Sequence, residues 1–366
     1  MTKEINYFDI KAISSTLIKN LNKYEEFKSG KGIIIGSLVD FYATEDISDF
    51  EKFFWIDELK NIPRPQIKDF SDYIFENEIN NLEKTFSEMN LNSKKLLKDE
   101  DIIIYKDKKL IGNFIIKENT YKEAFDKVGF KKKSIDSILD EFYENLDYYR
   151  NKIKKHLIEN SEKKIITRQD IEVAKECFKN ILNSQFKKFF IKENDKIELY
   201  HQVEIYWENK CEKKAKIDIL FIDHEEKIIG IKDLKTMSDY TLNFLDSFIK
   251  YRYDIQMNHY YESLIFIENA KSNHINLPNN IKNLINKGYK VSNFFGFIVA
   301  STEKECLPLE YYFNIDESYI IKNRKLNTNK DILNAITIYN KCIKNKLDPS
   351  LTNYYNYILN GKILCN

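Results

Sequence analysis

Three strand-like runs follow one another with only short charged turns between them. They are IELYHQVEIYW (197–207), AKIDILFID (215–223) and IIGIKDLKT (228–236), joined by ENKCEKK and HEEK. Short runs rich in β-branched and aromatic residues read as strands. Connections this brief suit antiparallel neighbours rather than parallel ones, which need a long crossover. A helical stretch follows from about Tyr240 to Asn269. VSNFFGFIVAST (291–302) and LPLEYYFNI (307–315) read as two more strands, and NKDILNAITIYNKCIKNK (329–346) as a closing helix. Upstream, Thr120 to about Phe190 is helical in pattern: YKEAFDKVGF, SIDSILDEFYENLDYYRNKIKKHL and ITRQDIEVAKECFKNIL. Helices, then β-β-β-α-β-β, then a helix predict an α/β fold with a largely helical N-terminal half.

Local signals refine this outline. AISSTLIKNLNKYEEF reads as a helix capped by Ser14 or Ser15, and Thr167 with Asp170 resembles a capping box with Asp in place of Glu. Pro63 and Pro65 in IPRPQ forbid regular helix at that break. GIIIGSLVDFYATE is an apolar segment with no periodicity that decides between helix and strand. The expected organisation is a helical region over 1–190, a sheet-bearing core over 191–320 and a helical extension over 321–366, forming one unit.

Composition narrows the function classes. The 366 residues are 43% hydrophobic and 14% aromatic, with 9 Gly and 5 Pro. That is too apolar and too poor in breakers for a disordered or collagen-like chain. The 58 basic residues against 57 acidic leave a net charge of +1, which neither announces nor excludes a nucleic-acid partner. Five scattered cysteines without a CxxC pair argue against structural zinc and for a reducing compartment. No apolar run approaches the roughly 20 residues of a membrane helix. MTKEINYFDIKAISS lacks the apolar core of a signal peptide, so a cytoplasmic location without membrane partners is expected. No P-loop or G-x-S-x-G signature occurs.

Chemistry concentrates on the three runs. Asp218 and Asp233 interrupt otherwise apolar strands, where a buried charge needs a partner or a metal. Asp233 and Lys235, two apart, project to one face. An antiparallel turn through HEEK would bring Asp218 to the same point. Two carboxylates and a backbone carbonyl form a hard-oxygen site of the kind Mg²⁺ prefers, and a neighbouring lysine can orient or deprotonate an attacking water. Gln256 and Tyr260 share a helix face at i, i+4, a spacing that by itself favours a surface amide and a core aromatic.

The ordered set AKID, fifteen residues, DLKT, twenty residues, QMNHY resembles the PD-(D/E)XK nuclease superfamily in its RecB/RecE-like branch, closest to phage-type exonucleases. Further shared stretches are ISSTLIKNL, KGIIIGSLVDFYATE, YKEAFDKVGFKK, IITRQDIEVA and FIKYRYDIQMNHYYESL, so the resemblance spans most of residues 7–265. It implies a restriction-endonuclease-like core, a mixed central sheet flanked by helices. It also implies that Asp218, Asp233 and the Leu234 carbonyl bind Mg²⁺ or Mn²⁺, two ions in all. Lys235 would be the catalytic lysine, completed by Thr236, with Gln256 and Tyr260 supporting the site or the DNA end. Glu204 falls where related enzymes carry a further acid. Asp40 in GSLVD stands where many RecB-like nucleases have a metal-binding histidine, and Ile217 replaces their proline; the lesser alternative for Asp40 is a helix N-terminal acid.

The function implied is a metal-dependent DNA-end exonuclease of phage-type recombination or repair, in a bacterial host or phage-encoded. Its partners would be double-stranded DNA ends, copies of itself and a single-strand annealing protein. The alternatives are a structure-selective or restriction-like endonuclease on the same site, and a non-catalytic DNA-binding protein with a nuclease fold. Lys131–Lys133, Arg150, Lys152, Lys154, Lys155, Lys187 and Lys188 are candidate DNA contacts, with Phe130, Tyr148 and Tyr149 as stacking candidates. The histidines at 156, 201, 224, 259 and 274 show no ligand spacing and read as non-catalytic.

Overall fold

The computed structural model describes residues 7, 12–22, 30–57, 62–88, 118–130, 133–159, 163–193, 195–304, 306–315 and 319–344. Its helices, in chain order, are α1 (Ser15–Leu21), α2 (Lys31–Thr44), α3 (Phe50–Phe53), α4 (Pro65–Glu88), α5 (Glu118–Val128), α6 (Ile135–Glu144), α7 (Leu146–Glu159), α8 (Arg168–Leu182), α9 (Phe244–Lys250), α10 (Tyr253–Ile265), α11 (Leu277–Asn286) and α12 (Thr328–Lys344). The strands are β1 (Phe54–Ile56), β2 (Lys164–Ile166), β3 (Ile197–Glu208), β4 (Glu212–Asp223), β5 (Ile228–Met237), β6 (Lys271–Ser272), β7 (Lys290–Val291), β8 (Phe294–Ser301), β9 (Leu309–Asn314), β10 (Tyr319–Ile321) and β11 (Arg324–Leu326). The chain divides into a unit of residues 1–47 with 172–366 and a unit of residues 48–171.

The first unit is built on a mixed sheet in the order β6-β3-β4-β5-β8-β9, with β7 also pairing β5. β3, β4 and β5 form the expected antiparallel meander, and β8 and β9 pair antiparallel. β5 and β8 run parallel, Asp233 opposite Phe297, because α9, α10 and α11 lie in the connection and give the chain room to return. β5 is therefore a central strand, and the run from Ile229 to Leu234 is buried for that reason, its Lys232 and Asp233 included. The helical connection supplies Phe244, Phe248, Tyr253, Met257 and Leu264 to a core shared with Ile229, Ile231, Phe295 and Phe297. The Phe248 and Phe313 rings stack at 4.1 Å, and the fully buried Phe248 is worth about 2 kcal/mol in area removed from water.

The β3–β4 ladder has one irregularity. Val203 pairs with Ile217 and His201 with Ile219, while Gln202 takes the left-handed φ of 48° and drops out of the register together with Asp218. Leu220 and Ile222 on one side of this point, and Ala215 and Ile217 on the other, belong to the same core although their parity differs. The alternation thus skips a residue at Asp218, as a bulge does when it re-aims a side chain.

The second unit gathers Ile67, Phe70, Ile74, Tyr121, Ala124, Ile138, Phe142, Tyr149 and Ile153 from α4 to α7 around one core. Pro65, expected to lie in a break, opens α4, since a proline at a helix start loses no hydrogen bond. The three-residue strands β1 and β2 pair parallel, β2 inside a segment expected to be helical throughout. Thr167 and Asp170 do form a capping box: the Thr167 amide donates to Asp170 Oδ2 at 2.9 Å and the Asp170 amide to Thr167 Oγ1 at 3.2 Å. Ser14, not Ser15, caps α1, accepting from the Leu17 amide.

Candidate functional site

Asp233 lies on the central strand with no exposed surface. Both of its carboxylate oxygens are engaged. Gln256 Nε2 donates to Oδ1 at 2.7 Å, and the Lys235 ammonium pairs with Oδ2. The i, i+2 relation on a strand thus becomes an ion pair, and the helix face of Gln256 is turned onto the sheet. Asp218, at the β3–β4 irregularity, accepts from the Leu234 amide at 3.1 Å through Oδ2. Asp218, Asp233 and Lys235 therefore meet where β4 and β5 part.

The charges in this place are unbalanced. Burial, then the Asp233 and Asp40 carboxylates, raise Asp218 well above the usual carboxylate range, while Lys235 and the Leu234 amide pull the other way. Burial opposes the charge on Lys235, but Asp233, Tyr253 and Asp218 outweigh it and hold the ammonium protonated far above its ordinary value. Tyr260 is buried beside the same groups. Burial first, and then Asp233 and Asp218, push its hydroxyl upward and keep it neutral.

GIIIGSLVDFYATE, undecided in sequence, is the helix α2. Its Gly36 faces Thr236, 3.9 Å from where a Cβ would stand, so the helix lies close against the end of β5. One turn beyond Asp40, Thr44 Oγ1 accepts from Gln202 Nε2 at 3.0 Å, tying α2 to the irregularity of β3. Asp40 thereby comes near enough to Asp218 to raise its pKa. It lies well inside α2, ten residues past the Gly30 cap, so it is not a helix N-terminal acid. Glu204 goes elsewhere: it accepts from the Tyr206 hydroxyl at 3.1 Å and adds negative charge beside Tyr7. Beside Lys235 opens a cavity of about 720 Å³, lined among others by Lys31, Thr236, Asn243, Tyr251 and Tyr253.

Sequence reasoning missed Lys19 and Tyr253. The Tyr253 ring carries Lys235 Nζ at 4.9 Å and Lys19 Nζ at 5.2 Å from its centroid. Tyr253, Gln256 and Tyr260 follow i, i+3, i+7, so the shared helix face was a usable signal for Tyr253. Lys19 carried none, because a lysine on a short helix reads as solvated. Burial, and then the charge of Lys235, push Lys19 down to about 7.

Among the described residues no group of three or more His, Cys, Asp or Glu side chains is gathered closely enough to hold a metal ion. The carboxylate chemistry nevertheless fits a hard cation. The Asp233 and Asp40 carboxylates both act on Asp218, whose Oδ2 accepts the Leu234 amide.

Several expected DNA contacts are neutralised by nearby acids. Lys152 pairs with Asp72 at 2.7 Å, Arg150 with Asp147 at 3.5 Å, Lys155 with Asp57 at 3.7 Å and Lys187 with Glu193 at 3.0 Å. Lys133 pairs with Glu141, and Lys188 lies over the Phe189 ring. Lys131, Lys132 and the Lys154 side chain lie outside the described residues. The stacking candidates are corrected outright. Tyr149 lies in the core of the second unit and Phe130 packs against it through Phe70 and Phe125, while Tyr148 is buried with its hydroxyl donating to Asp72 at 2.9 Å.

His259 is a core residue. Nε2 bonds the Lys214 carbonyl at 2.9 Å, and its ring lies 4.9 Å from that of Trp207. Burial lowers its pKa from 6.5 to about 4. Between those values the unfolded chain binds a proton that the folded chain refuses, so this contribution to stability is lost as pH falls. Parent protein should lose about 2 kcal/mol more than His259→Gln between pH 7.5 and 5. Denaturant midpoints of the two at both pH values check this, and equal losses would contradict it.

No protein family and no curated protein matches the chain. Among solved structures, a protein of Eubacterium rectale named "Putative exonuclease" is similar over 67% of this chain and 74% of its own, at 16% identity and a TM-score of 0.27.

Proposed function

We propose that this chain is a metal-dependent deoxyribonuclease of the PD-(D/E)XK type, degrading DNA from an end as phage-type recombination exonucleases do. One observation carries the reading. A buried aspartate held by Lys235 and Gln256 meets a second, electrostatically strained aspartate at the point where β4 and β5 part. An ion-paired structural acid would need no second carboxylate beside it, and that crowding is costly without a cation.

Asp218, Asp233, Asp40 and the Leu234 carbonyl would hold one or two Mg²⁺ or Mn²⁺ ions. A bound divalent ion supplies Lewis-acid polarisation of the phosphoryl oxygens. The protein does the rest. The Leu234 amide and Gln256 fix the two carboxylates so that neither rotates as charge builds. Lys235, paired with Asp233, orients the nucleophile and offsets negative charge on the phosphate. Tyr260 and the Tyr253 ring exclude water from the inner wall, and Glu204 acts only through Tyr206 and Tyr7. The cavity beside Lys235 has room for a nucleotide of the bound strand.

The test is Lys235→Ala on end-labelled linear duplex DNA. Single-turnover cleavage should fall at least about 10²-fold with affinity little changed. Closed circular duplex should stay intact with the parent. A near-parental rate in the variant removes Lys235 from the chemistry, and cutting of circles replaces the exonuclease reading with an endonuclease.

A further inference from the structure

We infer that Lys19 is a second phosphate-binding cation of this site, taking a phosphodiester of the bound nucleic-acid strand; the inference rests on the nuclease reading. Lys19 is fixed in place. Ile18 beside it is fully buried among Ile13, Leu21, Ile255 and Ile336, and Ser14 caps the start of α1. At the other end Asn22 donates to the Asp331 carbonyl at 2.8 Å and accepts from Asn334 at 2.8 Å. The backbone that carries Lys19 is thereby held, and its side chain reaches over the Tyr253 ring.

Its ammonium shares the Tyr253 ring with Lys235. The charges it senses are Lys235, Asp233, Asp254 and Arg252. Every one of these except Lys19 is paired: Lys235 with Asp233, and Arg252 with Asp254 at 2.7 Å and with Asp331 at 2.8 Å. No carboxylate of the described residues forms an ion pair with Lys19. A desolvated cation without a counter-ion is unfavourable for the free protein. It becomes favourable when an anion arrives, and the anion this site would receive is a strand of phosphodiesters. An aromatic face alone offsets only part of the desolvation.

The experiment uses the full chain with Lys19→Met, which keeps the stem on the ring, and Lys19→Arg, which keeps the charge. Affinity for linear DNA is measured against salt concentration in EDTA, where the nuclease reading expects binding without cleavage. Lys19→Met should weaken binding about tenfold near 0.1 M salt and lower the salt slope by about one. Lys19→Arg should restore both. The melting temperature of Lys19→Met should hold or rise, because a half-buried charge with no ion-pair partner has been removed. A parental affinity and slope in Lys19→Met overturns the inference while leaving the nuclease reading intact. A fall in melting temperature with parental binding overturns it as well, by assigning Lys19 a packing role. If the parent neither binds nor cuts DNA, the nuclease reading fails, and Lys19 with it.

Discussion

Asp233→Asn is expected to abolish DNA hydrolysis, by at least about 10³-fold, with the fold retained and DNA affinity near parental. The substitution keeps the volume and still lets Gln256 bond the remaining carbonyl oxygen. It removes the charge that pairs with Lys235 and that, together with Asp218, would draw the cation of the proposed function. With that charge gone, Asp218 also loses the carboxylate neighbour that contributes most to its raised pKa after burial. The same change should leave Lys235 free to contact phosphate, so binding does not suffer. Rates and binding constants for parent and variant at one salt concentration check this. A variant that cuts at the parental rate would place the chemistry elsewhere in the molecule.

Arg252→Met should cost about 3–5 kcal/mol of stability, the largest loss expected from a single change in this region. Arg252 precedes α10 in the left-handed conformation, φ 50°, and is only 4% exposed. Its guanidinium holds Asp254 through Nε at 2.9 Å and Nη2 at 2.7 Å, and Nη1 reaches Asp331 on α12 at 2.8 Å. Thr328 Oγ1 completes the cluster on Asp254 at 2.6 Å. Removing the arginine strands a fully buried carboxylate, which is why breaking such a cluster costs more than the cluster contributes. The melting temperature should fall on the order of 10 °C. Asp254→Asn in the Arg252→Met background should recover part of it. A loss under about 1 kcal/mol would show that α10 is held by its apolar face alone.

The sheet and its acids were legible for one reason: strands buried on both faces read as unbroken apolar runs, and a carboxylate inside such a run stands out. Asp218 and Asp233 are of this kind, and the brief HEEK turn predicted their convergence. α2 was not legible, because Ile35, Leu38, Val39, Phe41 and Ala43 are buried around more than one face and leave no helical stripe. β2 is too short to show any period. Lys19 and the Arg252 cluster escaped because their meaning lies in residues far away in sequence. The cluster joins Asp254 to Asp331 across 77 positions, and no local pattern encodes that pairing. The basic runs gave no sign of their acid partners for the complementary reason, since Asp72 and Asp57 pair with lysines roughly 80 to 100 positions away.

The most direct measurement is the release of acid-soluble nucleotides from linear duplex DNA by the purified 366-residue chain. It is followed with Mg²⁺ present, after chelation by EDTA, and after Mg²⁺ is restored. A cation trap built from Asp218, Asp233 and Asp40 predicts release that stops on chelation and resumes on restoration, and none at any stage from Asp233→Asn. Release that continues undiminished in EDTA, or no release with either Mg²⁺ or Mn²⁺, would contradict it.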